Sequence, residues 1–348
     1  MHDKWTTFLK NKGAVINNGA VHHFGNADAE TDAALTGDIL ADLSHYGLIS
    51  VSGADAKTFL QGQFTNDIRL VTEHKSQLSA YCSAKGRVLA NFRLFLIDDI
   101  YFLLLPRELV SSIIARLKMF VLMARVELED VSDTSIRIGC AGSNIEKALA
   151  SMMDSIPDEL NSVTHLDGLS IIRVSGSGPR FVIITQPDQA ASCWDSLSAT
   201  ALPVGIDAWA LLDIHAGIPT IYQATTDTFV PQMINLQTIG GVSFEKGCYA
   251  GQEIVARMQY LGKLKRRMYL IHIDTKVSPQ PADNLYIATA QGDQGIGKIV
   301  DARPAQQGYD ALAVMQVDSE NVPVRLHDVN GPTVTFLDLP YPVETAED

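Results

Sequence analysis

The sequence predicts an α+β fold in which a lobe of ferredoxin-like units is followed by a small C-terminal β-barrel. Two observations support this prediction. Strand-like and helix-like patterns alternate along the chain as far as Lys263, and the plainest hairpin joins Leu169 to Val174 with Arg180 to Thr185. After Lys263 the pattern changes to short strands without a convincing helix, as is typical of a small barrel.

The elements of the first lobe begin with a strand at Leu48 to Val51 and a short helix opened by Gly53-Ala-Asp55. Pro106 ends a later strand, because proline lacks the N–H group that a strand ladder uses. Residues 108–119 then carry apolar residues at helical spacing. The strands between these features are predicted at Leu78 to Cys82, Val88 to Leu96 and Ile100 to Leu105.

A strand at Ile136 to Cys140 and a helix at Asn144 to Met152 precede the hairpin, and a helix from Pro187 follows it. A further helix around Trp209 ends at Gly217, a residue type common at helix C-termini. The barrel strands are predicted at Met268 to Ile273, Asn284 to Thr289, Gly297 to Val300, Ala311 to Val317, Val324 to Leu326 and Thr333 to Phe336.

These patterns divide the chain into an N-terminal extension, a lobe and a barrel. We expect the extension at residues 1–34, the lobe at 35–262 with an inserted ferredoxin-like unit at about 131–203, and the barrel at 263–348. No apolar run approaches the ~20 residues that span a bilayer, and the N-terminus has no apolar signal-peptide core. We therefore expect a cytoplasmic protein without a membrane partner.

The formal net charge is −13, from 27 basic and 40 acidic residues. This balance predicts no direct binding of nucleic acid, because such binding depends on neutralising phosphates with Lys and Arg. One segment, Lys263-Leu-Lys-Arg-Arg267, is basic in this otherwise acidic chain, and Arg257 lies shortly before it. The run is either a solvated face or an anchor for a polyanion, such as the glutamate tail of a folate.

The four cysteines, Cys82, Cys140, Cys193 and Cys248, lie more than fifty residues apart. This spacing forms neither a disulfide framework nor a zinc knuckle, and it nominates no resident metal site. Cys248 stands out because it follows Lys246 and precedes the start of a predicted helix at Gln252. A cation and a helix N-terminus both favour a thiolate, so Cys248 is a candidate reactive residue with Lys246 as its partner. A Gly-rich turn holding an incidental buried cysteine is the alternative.

The segment Lys246-Gly-Cys-Tyr-Ala-Gly-Gln-Glu253 resembles the K-G-C-Y-x-G-Q-E motif of the YgfZ family, folate-binding relatives of the aminomethyltransferase of glycine cleavage. Further matches extend this resemblance from about Leu43 to Val343. They are Gln61-Gly-Gln63, Asn66-Asp67, Lys85-Gly-Arg87, Phe229-Val-Pro-Gln232, Asn235-Leu236 and Leu339-Pro-Tyr-Pro-Val343. The resemblance implies an aminomethyltransferase-like folate-binding lobe before the barrel.

The resemblance also implies which residues contact a tetrahydrofolate or a related reduced folate. They are Trp209, Tyr46, His215, Gln252, Glu253 and Arg257. Two of these positions depart from the family pattern, since Tyr46 stands where a tryptophan is usual and His215 where a glutamate is usual. For Trp209, a place in the core of its helix is the alternative to ligand contact.

The resemblance implies a folate-binding accessory factor for iron–sulfur protein assembly or repair, which indirectly supports tRNA modification. Its implied partners are iron–sulfur proteins or their assembly factors. A folate-dependent one-carbon transferase or demethylase is the second function class, and a non-catalytic binding module is the third. Classical aminomethyltransferase activity is not expected, because Ala90-Asn91 stands where those enzymes carry paired aspartates.

Overall fold

The structure is a computed structural model that describes residues 1–153, 155–166, 168–289, 292–317 and 319–343. Its helices are α1 (Asp3–Asn11), α2 (Ala27–Thr36), α3 (Ala56–Gln61), α4 (Val110–Lys118), α5 (Ser143–Met152), α6 (Pro187–Leu197), α7 (Ile206–His215) and α8 (Gln252–Leu261). Short 3-10 turns lie at Ile68–Leu70, Arg107–Leu109, Pro231–Ile234 and Ser319–Asn321.

The strands in the first part of the chain are β1 (Val15–Asn17), β2 (Ala20–His23), β3 (Ile39–Asp42), β4 (Tyr46–Ser52), β5 (Gln77–Cys82), β6 (Val88–Ile97), β7 (Ile100–Pro106), β8 (Glu127–Asp130), β9 (Ile136–Ala141), β10 (Val163–Leu166), β11 (Leu169–Arg173), β12 (Arg180–Thr185) and β13 (Leu202–Val204). The later strands are β14 (Arg266–Ile273), β15 (Asn284–Thr289), β16 (Gly292–Pro304), β17 (Tyr309–Gln316), β18 (Arg325–Leu326) and β19 (Val334–Leu337).

The described residues fall into two compact units. The first contains Met1–Phe59, Arg69–Gln77 and Phe92–Leu212, and the second contains Leu60–Ile68, Leu78–Asn91 and the residues from Asp213 onward. These units are defined by contacts within the fold. The predicted boundaries at residues 34, 131, 203 and 262 stay a prediction, and the last five residues of the predicted barrel lie outside the described residues.

The first unit contains a sheet with the strand order β10-β11-β12-β9-β3-β13. Its neighbouring strands pair antiparallel, except that β13 runs parallel to β3. In this region β9, α5, β11, β12 and α6 follow the predicted order, and β10 is an additional strand that the sequence analysis did not predict; the inserted ferredoxin-like unit stays a prediction. The predicted hairpin is confirmed, because Leu169 pairs with Thr185 and Arg173 with Phe181.

A second sheet of the first unit is formed by the end of β6 followed by β7, β4 and β8. The predicted helix at residues 108–119 is shorter than expected, because residues 107–109 form a 3-10 turn and α4 starts at Val110. The N-terminal helix α1 also belongs to this unit. Trp5 is buried there, stacks edge-on against Trp194 and donates from Nε1 to Asp42 Oδ1 at 2.7 Å.

The second unit contains the predicted C-terminal barrel, an antiparallel curled sheet with the order β18-β15-β16-β17-β14-β19. Its end strands meet, because Val334 N–H donates to the Val324 carbonyl at 3.1 Å and Arg325 forms a bridge with Thr333. Joining the end strands leaves fewer unpaired edge groups, which is how small barrels avoid exposed sheet edges.

Alternating side chains of β14 and β17 enter two different cores. Tyr269 and Ile271 pack inside the barrel, together with Ala313 from the neighbouring strand. Met268 and Leu270 face the other way, into a core with residues of the segments around Cys82, Ile234 and Val255. Because strand side chains alternate between faces, the same two strands form the barrel and support the segment that carries Cys248.

Within the described ranges, no helix combines the length and apolar character needed to cross a lipid bilayer.

Candidate functional site

The loop around Cys248 is held in place by the buried side chain of Lys246. The Lys246 ammonium donates to the carbonyls of Gln61, Phe64 and Asn66 at 2.7, 2.5 and 3.0 Å. An ammonium has three N–H donors, and these three carbonyls match them. The Lys-Gly-Cys-Tyr motif is thereby attached to the Gln61-Gly-Gln63 segment, about 180 residues earlier in the chain.

This contact changes the interpretation of Lys246. Sequence reasoning pairs the lysine with the thiol, whereas the structure directs its hydrogen bonds to backbone oxygens and leaves the residue only 5% exposed. A buried ammonium needs such partners, because an unpaired buried charge is strongly unfavourable. Lys246 thus stabilises the loop conformation, and its catalytic role stays a prediction.

The other side of the loop contacts the Lys85-Gly-Arg87 turn. Gly251 has φ +79°, and a Cβ added there would lie 2.3 Å from the carbonyl oxygen of Ser83. Gly86 has φ +68°, and a Cβ added to it would lie 2.8 Å from Cβ of Ile254. Both positions therefore require glycine, for the backbone angle and for the close approach. Gly247 differs, because an added Cβ would meet no atom within 4 Å.

Helix α8 begins directly after this contact, as predicted, with Gly251 as its N-cap residue. The Gln252 side chain accepts from Tyr249 N–H at 3.2 Å, and Gln252 N–H donates to the Tyr249 carbonyl at the same distance. Gln232 of the Phe-Val-Pro-Gln segment donates to the Val255 carbonyl at 2.7 Å. Gln252 therefore orders the first turn of the helix, and its predicted contact with folate stays a prediction.

Cys248 is exposed, whereas the other three cysteines of the sequence are buried. Burial raises the pKa of Cys82 to about 12, with a smaller contribution from the Asp227 carboxylate, and burial raises that of Cys193 to about 11. Burial also raises the pKa of Cys140 well above its ordinary value. The buried thiols are therefore protonated and shielded at neutral pH, so Cys248 is the thiol that the fold presents to solvent.

Trp209 lies in the core of the first unit, where it is 2% exposed. The Arg180 guanidinium stacks over its ring, 3.9 Å from the centroid, and an added Cβ at Gly139 would lie 2.6 Å from the ring. Tyr46 begins β4, is partly buried and packs against the same core cluster. This burial agrees with the alternative of a core position for Trp209, and its predicted contact with folate stays a prediction.

His215 ends α7 and forms a polar cluster that the sequence did not reveal. Its Nε2 lies 2.8 Å from Asp310 Oδ2, and His272 Nδ1 lies 2.7 Å from Asp310 Oδ1. Burial raises the pKa of the Asp310 carboxyl, but the hydrogen bonds from both histidines outweigh this effect and the net shift is downward. The Asp310 carboxylate therefore lies one hydrogen bond away from position 215, and the predicted contact of His215 with folate stays a prediction.

Asn91 holds the segment after Gly217 by using both ends of its amide. Its Nδ2 donates to the Pro219 carbonyl at 2.6 Å, and its Oδ1 accepts from Ile221 N–H at 2.9 Å. A carboxylate cannot donate, so an aspartate could not make both bonds. The asparagine therefore has a structural role here, because its amide holds this segment through both bonds.

The predicted site residues are brought together only in part. Lys246, Cys248, Gln252, Glu253 and Arg257 share one loop and helix in the second unit, and Glu253 and Arg257 are exposed one turn apart. His215 belongs to the Asp310 cluster, and Trp209 and Tyr46 lie in the first unit. Among the residues that the structure describes, no group of three or more His, Cys, Asp or Glu side chains could hold a metal ion.

Comparison with known proteins agrees with this architecture. Residues 14–244 match the family described as the GCVT N-terminal domain. The "tRNA-modifying protein YgfZ" of Colwellia psychrerythraea is 33% identical over 311 residues, covering 89% of this chain and 95% of that protein. The protein of the same name from Pectobacterium carotovorum subsp. carotovorum is 31% identical over 307 residues, covering 87% and 92%.

A solved structure shares the fold across the chain. The glycine cleavage system aminomethyltransferase T of Bartonella henselae matches with a TM-score of 0.77 at 14% sequence identity, and the match covers 98% of both chains. The predicted fold class, an aminomethyltransferase-like α+β lobe followed by a curled antiparallel C-terminal sheet, is thereby confirmed.

Proposed function

The chain belongs to the YgfZ family, and on that premise we propose that it is a folate-binding accessory factor for the assembly or repair of iron–sulfur proteins. Through those proteins it would indirectly support tRNA modification, the activity named in its relatives. A cytoplasmic location belongs to the same proposal. Iron–sulfur proteins or their assembly factors would be its partners.

The observation that carries this proposal is the presentation of Cys248. The thiol is exposed on a loop fixed on one side by Lys246 and on the other by the Gly86–Gly251 approach, whereas the remaining thiols are buried. A fixed, accessible thiol is suited to a partner protein, because little conformational freedom is lost when the partner binds. In the proposal, Cys248 is the functional group and Lys246 maintains its position.

The one-carbon transferase or demethylase alternative receives less support. Asn91 is committed to two backbone hydrogen bonds, and Ala90 is fully buried beside it. Neither residue supplies a carboxylate to a reacting one-carbon unit. A non-catalytic binding module also receives less support. The contacts that hold the loop do not use the Cys248 side chain, so a purely structural loop would not need an exposed thiol at this position.

The proposal is tested in cells that lack this protein. We expect the parent chain to restore the activities of iron–sulfur enzymes and the tRNA modifications that depend on them, and we expect Cys248→Ser to restore neither. Equal protein levels and equal melting temperatures of the two forms serve as the control for folding. Full restoration by Cys248→Ser would exclude the thiol from the function.

Folate binding is tested separately, by calorimetry. The fluorescence of the buried Trp209 would not report directly on a ligand at the protein surface. Calorimetry with tetrahydrofolate should show binding, and a ligand at 100 times its dissociation constant should stabilise the chain by about 2.7 kcal/mol. The variant His215→Glu/Asp310→Asn restores the family-like carboxylate without a second negative charge beside it. It should bind about tenfold more tightly if a charge-assisted bond forms, and absence of binding in both forms would remove folate from the proposal.

A further inference from the structure

The outward face of α8 carries exposed apolar side chains and is followed by a basic segment. The exposed residues of this helix recur at helical spacing, and its apolar members are Ile254, Tyr260 and Leu261, which are 39%, 68% and 83% exposed. Val255 points the opposite way and is fully buried. Side chains that share one face of a helix form one surface, and here Ile254, Tyr260 and Leu261 flank the exposed Glu253 and Arg257.

This face is joined to the cysteine loop. Tyr260 lies edge-on against Phe244, with ring centroids 6.1 Å apart, and Phe244 begins the segment that leads to Cys248. Gly251 fixes the other end of the helix against the Lys85-Gly-Arg87 turn. The first turn of α8 thus follows Cys248 closely in the chain, and its last turn contacts Phe244, which shortly precedes the thiol, so the outward face and Cys248 belong to one short segment.

The charge of this region is opposite to that of the chain. From the start of α8, residues 252–273 contain five basic residues and one acidic residue, Glu253, although the whole protein has a net charge of −13. Arg267 pairs with Glu320, whereas the others are exposed; they are Arg257, Lys263, Lys265 and Arg266. A local positive region on an acidic protein selects the orientation in which an acidic partner approaches.

We propose that the outward face of α8 and the basic segment after it form the docking surface for a protein partner that presents acidic side chains around an apolar patch. The combination of tyrosine, arginine and aliphatic side chains is typical of protein interfaces. A nucleic acid would use the basic residues but would leave Ile254 and Leu261 without apolar contacts. A folate glutamate tail would use the basic residues alone. The inference rests on the proposed function, since it names the surface by which the partner reaches Cys248.

The test places the photoreactive residue benzoylphenylalanine at position 260 of the full chain in cells that lack the native protein. We expect a nuclease-resistant adduct with a protein, crosslinked through a peptide rich in Asp and Glu. The charge reversal Lys265→Glu/Arg266→Glu should reduce this adduct about tenfold or more. The matched reversal Lys57→Glu/Lys276→Glu, at exposed lysines elsewhere, should leave it unchanged.

Three results would overturn the inference: no adduct, an adduct insensitive to the reversal at positions 265 and 266, or an adduct that nuclease removes. Calorimetry of Lys265→Glu/Arg266→Glu could give a fourth contradicting result. If this variant loses affinity for a triglutamyl folate but keeps its affinity for a monoglutamyl folate, the basic segment binds the glutamate tail. If the adduct depends on the basic segment but Cys248→Ser restores the iron–sulfur enzymes, the docking surface stands and the proposed function fails.

Discussion

Replacing Lys246 with methionine tests whether this residue acts on the loop or in the chemistry. The change keeps much of the apolar stem and removes the ammonium that donates to three carbonyls. Hydrogen bonds from a charged donor contribute about 1.5–3 kcal/mol each, and the cost of burying the ammonium offsets part of their sum. We therefore expect Lys246→Met to destabilise the second unit by about 3 kcal/mol, within a range of ~2–5 kcal/mol.

The assay must report on the second unit, because Trp5, Trp194 and Trp209 all lie in the first. Cys82 is buried in the second unit, so its alkylation in a short pulse along a urea series follows the unfolding of that unit. A loss of 3 kcal/mol should lower the midpoint by roughly 1–1.5 M urea. The exposed Lys85→Met is the matched control and should barely shift it. A normal midpoint with lost function would refute the loop-holding role and favour a chemical one.

Gly251→Ala should destabilise the second unit by about 2–4 kcal/mol, because the backbone at Gly251 is left-handed and the new Cβ would overlap a neighbouring atom. The control Gly247→Ala should change the stability by no more than about 0.5 kcal/mol in the same urea assay. Equal effects of the two substitutions would contradict this explanation. Asn91→Asp should cost about 1–3 kcal/mol in that assay without creating aminomethyltransferase activity, and an unchanged midpoint would count against the amide contacts. The lowered pKa of Asp310 means that its stabilising contribution is complete above about pH 4 and is lost as the pH falls through its folded value. His215→Glu places a second carboxylate beside Asp310, and the two negative charges repel each other. Acidification from pH 7 to 5 should relieve this repulsion and raise the melting temperature of the variant, and a fall would refute the reasoning.

Features that depend on neighbouring residues in the sequence were predictable. The hairpin of β11 and β12 and the start of α8 at Gln252 follow from local patterns of glycine, proline and apolar spacing, whereas the glycines around Cys248 indicated a turn and left both an exposed and a buried thiol open. The run from Met268 to Ile273 likewise predicted the strand β14, whose two faces enter two cores in the structure. Such signals depend on backbone angles and periodicity, which the sequence displays directly.

Contacts between distant segments were not predictable in the same way. Nothing local to Lys246 indicates that its ammonium meets the carbonyls of residues 61, 64 and 66, and nothing near His215 points to Asp310. The stacking of Arg180 on Trp209 depends on how β12 lies against α7. Family motifs identified several participants, but their partners depend on tertiary packing that spacing alone does not encode.

The central claim is that the fold presents Cys248 as its reactive thiol. Limiting alkylation of the native chain at neutral pH, followed by peptide mapping, measures the relative rates of all four cysteines. We expect Cys248 to react at least about 100-fold faster than Cys82, Cys140 or Cys193, because those thiols become accessible only when their surroundings open. Labelling of any buried cysteine at a rate equal to or above that of Cys248 would contradict the account.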